Sequence, residues 1–201
     1  VGKTVDQIKN IAVDAAGHPA GSDLKASVTV SISGYIAAIE KAVKYAQNLG
    51  ASASDELKLG VVTNMAKSVS AGEKSGLAES YSTYVAITQD AKGKITSCVI
   101  DASQGRVNFD KTGKITTDLK TTVKTKNELG TAYGMKKASK IGKEWNEQAA
   151  AFAKYVTGKT PAEVNTIAVT ADGKAAKNDL TASVTVTITD MKAALAKAAA
   201  K

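Results

Sequence analysis

The residues able to do chemistry are few, and their spacing removes most reactions from consideration. Gly2-Lys3-Thr4 and Gly158-Lys159-Thr160 match the closing residues of a phosphate-binding P-loop. That loop needs a further glycine five residues before the second one, so that backbone amides can curl around phosphate. Ahead of Gly158 the position is held by Ala153, inside a segment with helical spacing, which excludes an NTPase. His18 is the one histidine and Cys98 the one cysteine, far apart in sequence, so no Cys/His nucleophile pair, metal cluster or internal disulfide is indicated. Cys98 lies in the apolar run 95–100 and reads as a small buried hydrophobe. No serine sits in a G-x-S-x-G elbow. Asp101 and Asp110 are carboxylates that could approach each other, but turn and sheet-edge roles explain them equally well. No hydrolase site can be assembled. Tyr133, in Gly130-Thr-Ala-Tyr-Gly134, has two readings: a ring beside bare backbone that stacks on a flat ligand, or a loop anchor.

The elements that must position these residues follow from periodicity. Thr4-x-x-Gln7 and Thr160-x-x-Glu163 are capping boxes opening short helices over 5–10 and 161–165, the second with Pro161 in its first turn. Short strands are predicted at 11–13 and 167–169, each followed by a glycine turn. Alternation then predicts strands at 27–32 and 183–188. Their Val/Ile faces need a core, and Ser27, Thr29 and Ser31, with Ser183, Thr185 and Thr187, meet solvent or a ligand. Helices follow over 35–43 and 191–199. Between these segments, strands are expected at 57–63, 81–88 and 95–102, with a Gly93 turn joining the last two. A further pair is expected at 107–109 and 115–117. Residues 66–78 and 120–140 read as irregular. A helix over 142–156 carries Trp145, Ala149, Phe152 and Val156 on one stripe, so Trp145 is read as core. Tight hairpins with helices predict an α+β fold, an antiparallel sheet covered by helices.

The chain repeats one of its own segments. Residues 1–45 align with 157–201 without a gap, and 21 of 45 positions are identical. An offset of 156 residues is too long for a solenoid and suits a whole domain. We therefore expect a tandem duplication: 1–45 is the helix–strand–strand–helix tail of a truncated first module, and 46–201 is a complete second one. An orphan tail with strand character has an open edge, so pairing with a like module or a strand-swapped homodimer is expected.

The net charge is +8, carried by lysine, with Arg106 the sole arginine. Specific nucleic-acid readers use arginine and stacked aromatics, and aromatics are 4% of this chain, so specific nucleic-acid binding is not expected. No stretch reaches the length of a membrane span.

The segments Asp23-Leu-Lys-Ala-Ser27-Val-Thr29-Val-Ser-Ile and Asp179-Leu-Thr-Ala-Ser183-Val-Thr185-Val-Thr-Ile, with the helices after them and the Gly93-Lys-Ile-Thr turn, resemble the FMN-binding domain family. This family occurs in flavin subunits of sodium-translocating NADH:quinone reductase and Rnf complexes and in surface lipoproteins of Gram-positive bacteria. The resemblance implies FMN esterified by a flavin transferase to Thr185 and, in an intact first module, Thr29. Asp179 and Ser183, with Asp23 and Ser27, would lie beside it, and Tyr133 is the candidate stacking ring. It also implies an extracellular, lipid-anchored protein with its anchor outside this chain, passing electrons to a redox partner. Lysines between Lys120 and Lys143 could steer the phosphate. The chain departs from the family at Ala26, Ser27 and Val28 and at Ala182, Ser183 and Val184, where the pattern has Ser/Thr, Gly and Ala. Ser-Val favours regular strand over the freedom that Gly gives. Two functions stay open: a flavin carrier for electron transfer, or a non-catalytic surface module that keeps the fold without flavin.

Overall fold

The computed structural model describes residues 1–200, apart from the side chain of Asn178. The chain divides into two compact units, Val1–Asn48 and Leu49–Lys201.

The second unit is α+β. Strands β1 (Glu56–Asn64), β2 (Gly76–Gln89) and β3 (Ile95–Phe109) form an antiparallel sheet in the order β1-β2-β3. β2 and β3 are much longer than alternation alone predicts, because pairing continues through polar residues as far as Gly76 opposite Phe109. The β2–β3 turn closes on the Asp90 carboxylate, which accepts from the Lys92 and Lys94 amides at 2.9 Å, while Gly93 supplies a φ of 75°. The turn at Asp110 repeats this, and hydrogen bonds from Thr112 and then the Lys114 amide hold its carboxyl below the usual range. The expected pair at 107–109 and 115–117 is reduced to one bridge, Phe109 to Ile115.

Helices then cover one face. α4 is Lys126–Leu129, followed by a 3-10 turn at Gly130–Tyr133. α5 (Trp145–Val156) buries the expected stripe of Trp145, Ala149, Phe152 and Val156. α6 is Pro161–Asn165, α7 Asn178–Thr181 and α8 Thr189–Ala199. α5 lies on β3, and α8 on β1 and β2. α8 comes so close that a β-carbon on Gly60 would collide with the Ala194 carbonyl oxygen and lie 2.6 Å from the Ala198 amide nitrogen. Val85, Ile87, Ile100, Phe152, Leu180, Val184, Ile188 and Leu195 fill the core between the layers. Cys98 is buried there, and burial pushes its thiol up to about 12.

The first unit contains α1 (Val5–Lys9), α2 (Ser22–Lys25) and α3 (Ser33–Lys44). Lys9 and Glu40 join α1 to α3 at 3.1 Å. Adding 156 to the bounds of α1 and α2 gives those of α6 and α7, and α3 and α8 start at the same offset. The bridge Val13–Pro19 has its counterpart in Val169–Ala175. The Ile32 amide donates to the Gly17 carbonyl at 2.8 Å, and Ile188 donates to Gly173 at the same distance.

The strands expected at 27–32 and 183–188 do not form. Each segment is a turn after a four-residue helix, leading into the next helix without a ladder. The apolar residues are buried at a spacing of four, Leu180, Val184 and Ile188, rather than by alternation. The Val184 amide donates back to the Leu180 carbonyl at 2.9 Å, which winds the backbone away from strand. The strands expected at 11–13 and 167–169 are likewise reduced to single bridges.

Candidate functional site

The chemistry concentrates where β2 and β3 run beyond the apolar core of the second unit. On the helix-covered face, alternation along β2 places Glu79 and Tyr81 in register with Arg106 and Gln104 of β3. α4 lays a lysine over them. Its N-cap Thr125 and Glu128 form a reciprocal capping box, with the Thr125 amide donating to Glu128 Oε2 at 2.9 Å. Asn127 fastens the helix to β3, donating from its backbone to Asp101 Oδ1 and from its side chain to the Ile100 carbonyl, both at 3.0 Å. Lys126 is thereby turned inward and is only 5% exposed.

Its ammonium sits in an aromatic box. Nζ lies 4.6 Å from the ring centroids of Tyr81 and Tyr133 and 4.8 Å from that of Trp145. It also donates to the Tyr81 hydroxyl at 2.9 Å. Ring faces attract a cation but replace water incompletely. Burial, helped by the charges of Lys67 and Arg106, lowers the Lys126 pKa to about 8. The Tyr81 hydroxyl is driven well above its ordinary value, first by burial.

Beside the box lies an ion pair between a buried carboxylate and a half-exposed guanidinium. Arg106 Nε donates to Glu79 Oε2 at 2.5 Å, with the Glu79 side chain 1% exposed. Burial alone would raise the Glu79 pKa, but the hydrogen bond and charge of Arg106 outweigh it and hold the carboxyl below its usual range. Glu79 Oε1 is buried without a hydrogen-bond partner.

These groups border an open cavity of about 310 Å³ lined by Gln104, Arg106, Lys124, Lys126, Leu129, Ala132 and Tyr133. Arg106, Lys124 and Lys126 line it with the Tyr133 ring against a single carboxylate, the Glu79 that Arg106 holds, and this positive excess suits an anion carrying a flat or apolar part. A second cavity of about 230 Å³ lies between α6 and α8, but its one lysine, Lys192, already donates to the Asn165 and Ile167 carbonyls.

Of the residues singled out from the sequence, Tyr133 lines the larger cavity, and Asp179, Ser183 and Thr185 do not. Tyr133 is half-buried rather than exposed, and its hydroxyl donates to Gln104 Oε1 at 3.2 Å. Thr185 lies by α5. Its amide and hydroxyl donate to Gln148 Oε1 at 2.8 and 3.1 Å, and the Val186 amide adds a third bond at 3.2 Å. Ser183 donates to the Leu180 carbonyl at 3.2 Å. Asp179 accepts from the Tyr155 hydroxyl at 3.2 Å. In the first unit, Ser27 donates to the Leu24 carbonyl at 3.3 Å, Asp23 accepts from the Ser22 hydroxyl at 3.2 Å, and Thr29 is exposed. Asp101 and Asp110 serve separate roles: Asp101 accepts from the Asn127 amide of α4, and Asp110 closes its own turn.

Gln148 is fully buried and uses both ends of its amide, since Nε2 donates to Ser139 Oγ and the Lys143 carbonyl. Gln148→Leu strips the acceptor from two backbone amides and the Thr185 hydroxyl. It is expected to cost about 1–3 kcal/mol and to speed amide exchange at 185–186, checked by urea unfolding and hydrogen exchange.

The sequence places Lys126 only among the lysines between Lys120 and Lys143 that could steer a phosphate, and gives Arg106, Glu79 and Gln148 no site role. The signal for Lys126 was the capping box Thr125-x-x-Glu128, which starts a helix in a stretch read as irregular. Among the described residues, no group of three or more His, Cys, Asp or Glu could hold a metal, and no helix is long and apolar enough to cross a membrane. No family model, no curated protein and no solved structure matches the chain.

Proposed function

We propose that the chain is a non-catalytic ligand-binding module, FMN-binding-domain-like and built by tandem duplication, that takes a small anionic aromatic ligand in the Lys126 cavity. The observation that carries this reading is the convergence of Arg106, Lys124 and Lys126 with the Tyr133 ring on one open cavity. FMN is the ligand the family resemblance suggests: its phosphate suits the cations and its ring suits Tyr133. An extracellular, lipid-anchored setting belongs to the same reading.

Titration of the full chain with FMN and with riboflavin tests it. FMN should bind at least about tenfold more tightly than riboflavin at low salt, because only FMN brings a phosphate to the cations. Lys124→Ser, an exposed change, should weaken FMN by roughly threefold to tenfold and flatten its salt dependence. Equal affinity for the two flavins, or none, contradicts the reading.

A second reading has FMN esterified to Thr185 and electrons passed on to a redox partner. Thr185 lies outside any strand, and a transferase would have to free its hydroxyl from Gln148 Oε1, 3.1 Å away. Co-expression with a flavin transferase tests it by intact mass. The gain of one FMN, lost in Thr185→Ala, supports esterification, and an unmodified mass rejects it.

A further inference from the structure

The first unit exposes the side of its motif that the second unit buries. Tyr35 and Ile39 on α3 are 62% and 41% exposed, whereas Met191 and Leu195, their counterparts on α8, are 2% and 1% exposed. The small residues are kept as well. Ala38 and Ala42 are exposed and correspond to Ala194 and Ala198, which are fully buried where α8 crosses Gly60. Alanine favours any helix; what marks these two is that they hold the register of Ala194 and Ala198, where α8 meets Gly60.

The entry to the motif is preserved too. In the second unit α5 runs into Gly158, whose φ is 85° and whose amide donates to the Ile95 carbonyl at 2.8 Å. The Ile95 amide returns a bond to the Lys159 carbonyl at 2.9 Å, so β3 and the start of the motif are stitched together. Gly2 holds the same left-handed conformation, with a φ of 76°.

We propose that the apolar face of the first unit is the seat of a three-stranded sheet with its covering helix, of the kind formed by residues 49–156, joined in the same polypeptide ahead of Val1. That sheet carries a glycine under Ala38 and Ala42, as Gly60 lies under Ala194 and Ala198. A second copy of this chain is a poorer occupant, because the Gly60 face of its own sheet is already covered by α8.

The test compares the 201-residue chain with one carrying a further copy of residues 49–156 fused directly ahead of Val1, by amide hydrogen exchange. In the shorter chain, α3 should exchange on the order of 100-fold faster than α8. In the longer chain, α3 should slow to the rate of α8, and β2 of the added copy should be protected. Ile39→Asp, at an exposed position of the shorter chain, should return α3 to fast exchange only in the longer one. The proposal is overturned if α3 stays fast, or if the added copy stays unprotected beside the unit meant to complete it. It is also overturned if α3 of the 201-residue chain becomes protected as its concentration rises, since a second copy would then be the occupant.

Discussion

Arg106→Leu is expected to lower unfolding free energy at neutral pH by about 2–4 kcal/mol and to reverse the contribution of Glu79 to acid sensitivity. Removing one partner of a buried pair strands the other charge. Here the stranded carboxylate is 1% exposed and already has one oxygen without a partner. Arg106 is half exposed, which holds the effect below the top of the range for fully buried pairs. In the parent, the Glu79 pKa is lowered when folded. A lowered carboxyl contributes stability above its unfolded value, and that contribution is lost as pH falls through the folded value. Without the guanidinium, burial, the largest of the causes acting on this carboxyl, is opposed only by Gln104 and Lys67, and the folded pKa is expected to rise above the unfolded one. The folded state then prefers the proton, and acidification from pH 7 towards 4.5 relieves the penalty. Urea midpoints across that interval check this: the gap between parent and variant should narrow as pH falls. A gap that is constant or widens would show that Glu79 is not held by Arg106.

Phe152→Ala is expected to cost about 3–5 kcal/mol, the largest stability loss of any change considered, because the ring is fully buried between α5 and the sheet. Its neighbours on the stripe are two alanines, Ala149 and Ala153, and Val156, which have little volume with which to close a ring-sized void. Chemical denaturation measures the loss directly. A cost near 1 kcal/mol would mean that α5 slides to fill the space.

That stripe shows why part of the fold was legible. Four apolar residues at helical spacing, and hairpin strands closed by Asp-x-x-Gly turns, leave few alternatives. The segment 183–188 shows where legibility ended. Val184 and Ile188 lie four apart, which satisfies alternation and a helical face equally, and Val186 between them tipped the pattern towards strand. What distinguishes the two is the backbone, where the Val184 amide donates to the Leu180 carbonyl four residues earlier, a bond an extended strand does not make. The strand extensions were hidden because their residues are polar: Ser80, Ser103 and Gln104 pair without an apolar face. The site was hidden for a related reason. Tyr133 stands out between two glycines, but a lysine gives no sign in sequence of being surrounded by Tyr81, Tyr133 and Trp145, which come from three distant segments. The exact correspondence of α1 and α2 with α6 and α7 follows from identities visible by self-comparison, whereas the uncovered face of α3 needed the burial of its counterpart beside it.

The most direct test of the Lys126 cavity is a pH titration of the lysine side-chain ε-methylene resonances, with and without FMN. One lysine, assigned by its loss in Lys126→Met, should titrate at about 8 in the free protein. Its resonance should shift under aromatic ring currents, and its titration should move upward when a phosphate-bearing ligand enters beside it. A Lys126 that titrates with the surface lysines near 10.4 and ignores FMN would contradict both the aromatic box and the binding function built on it.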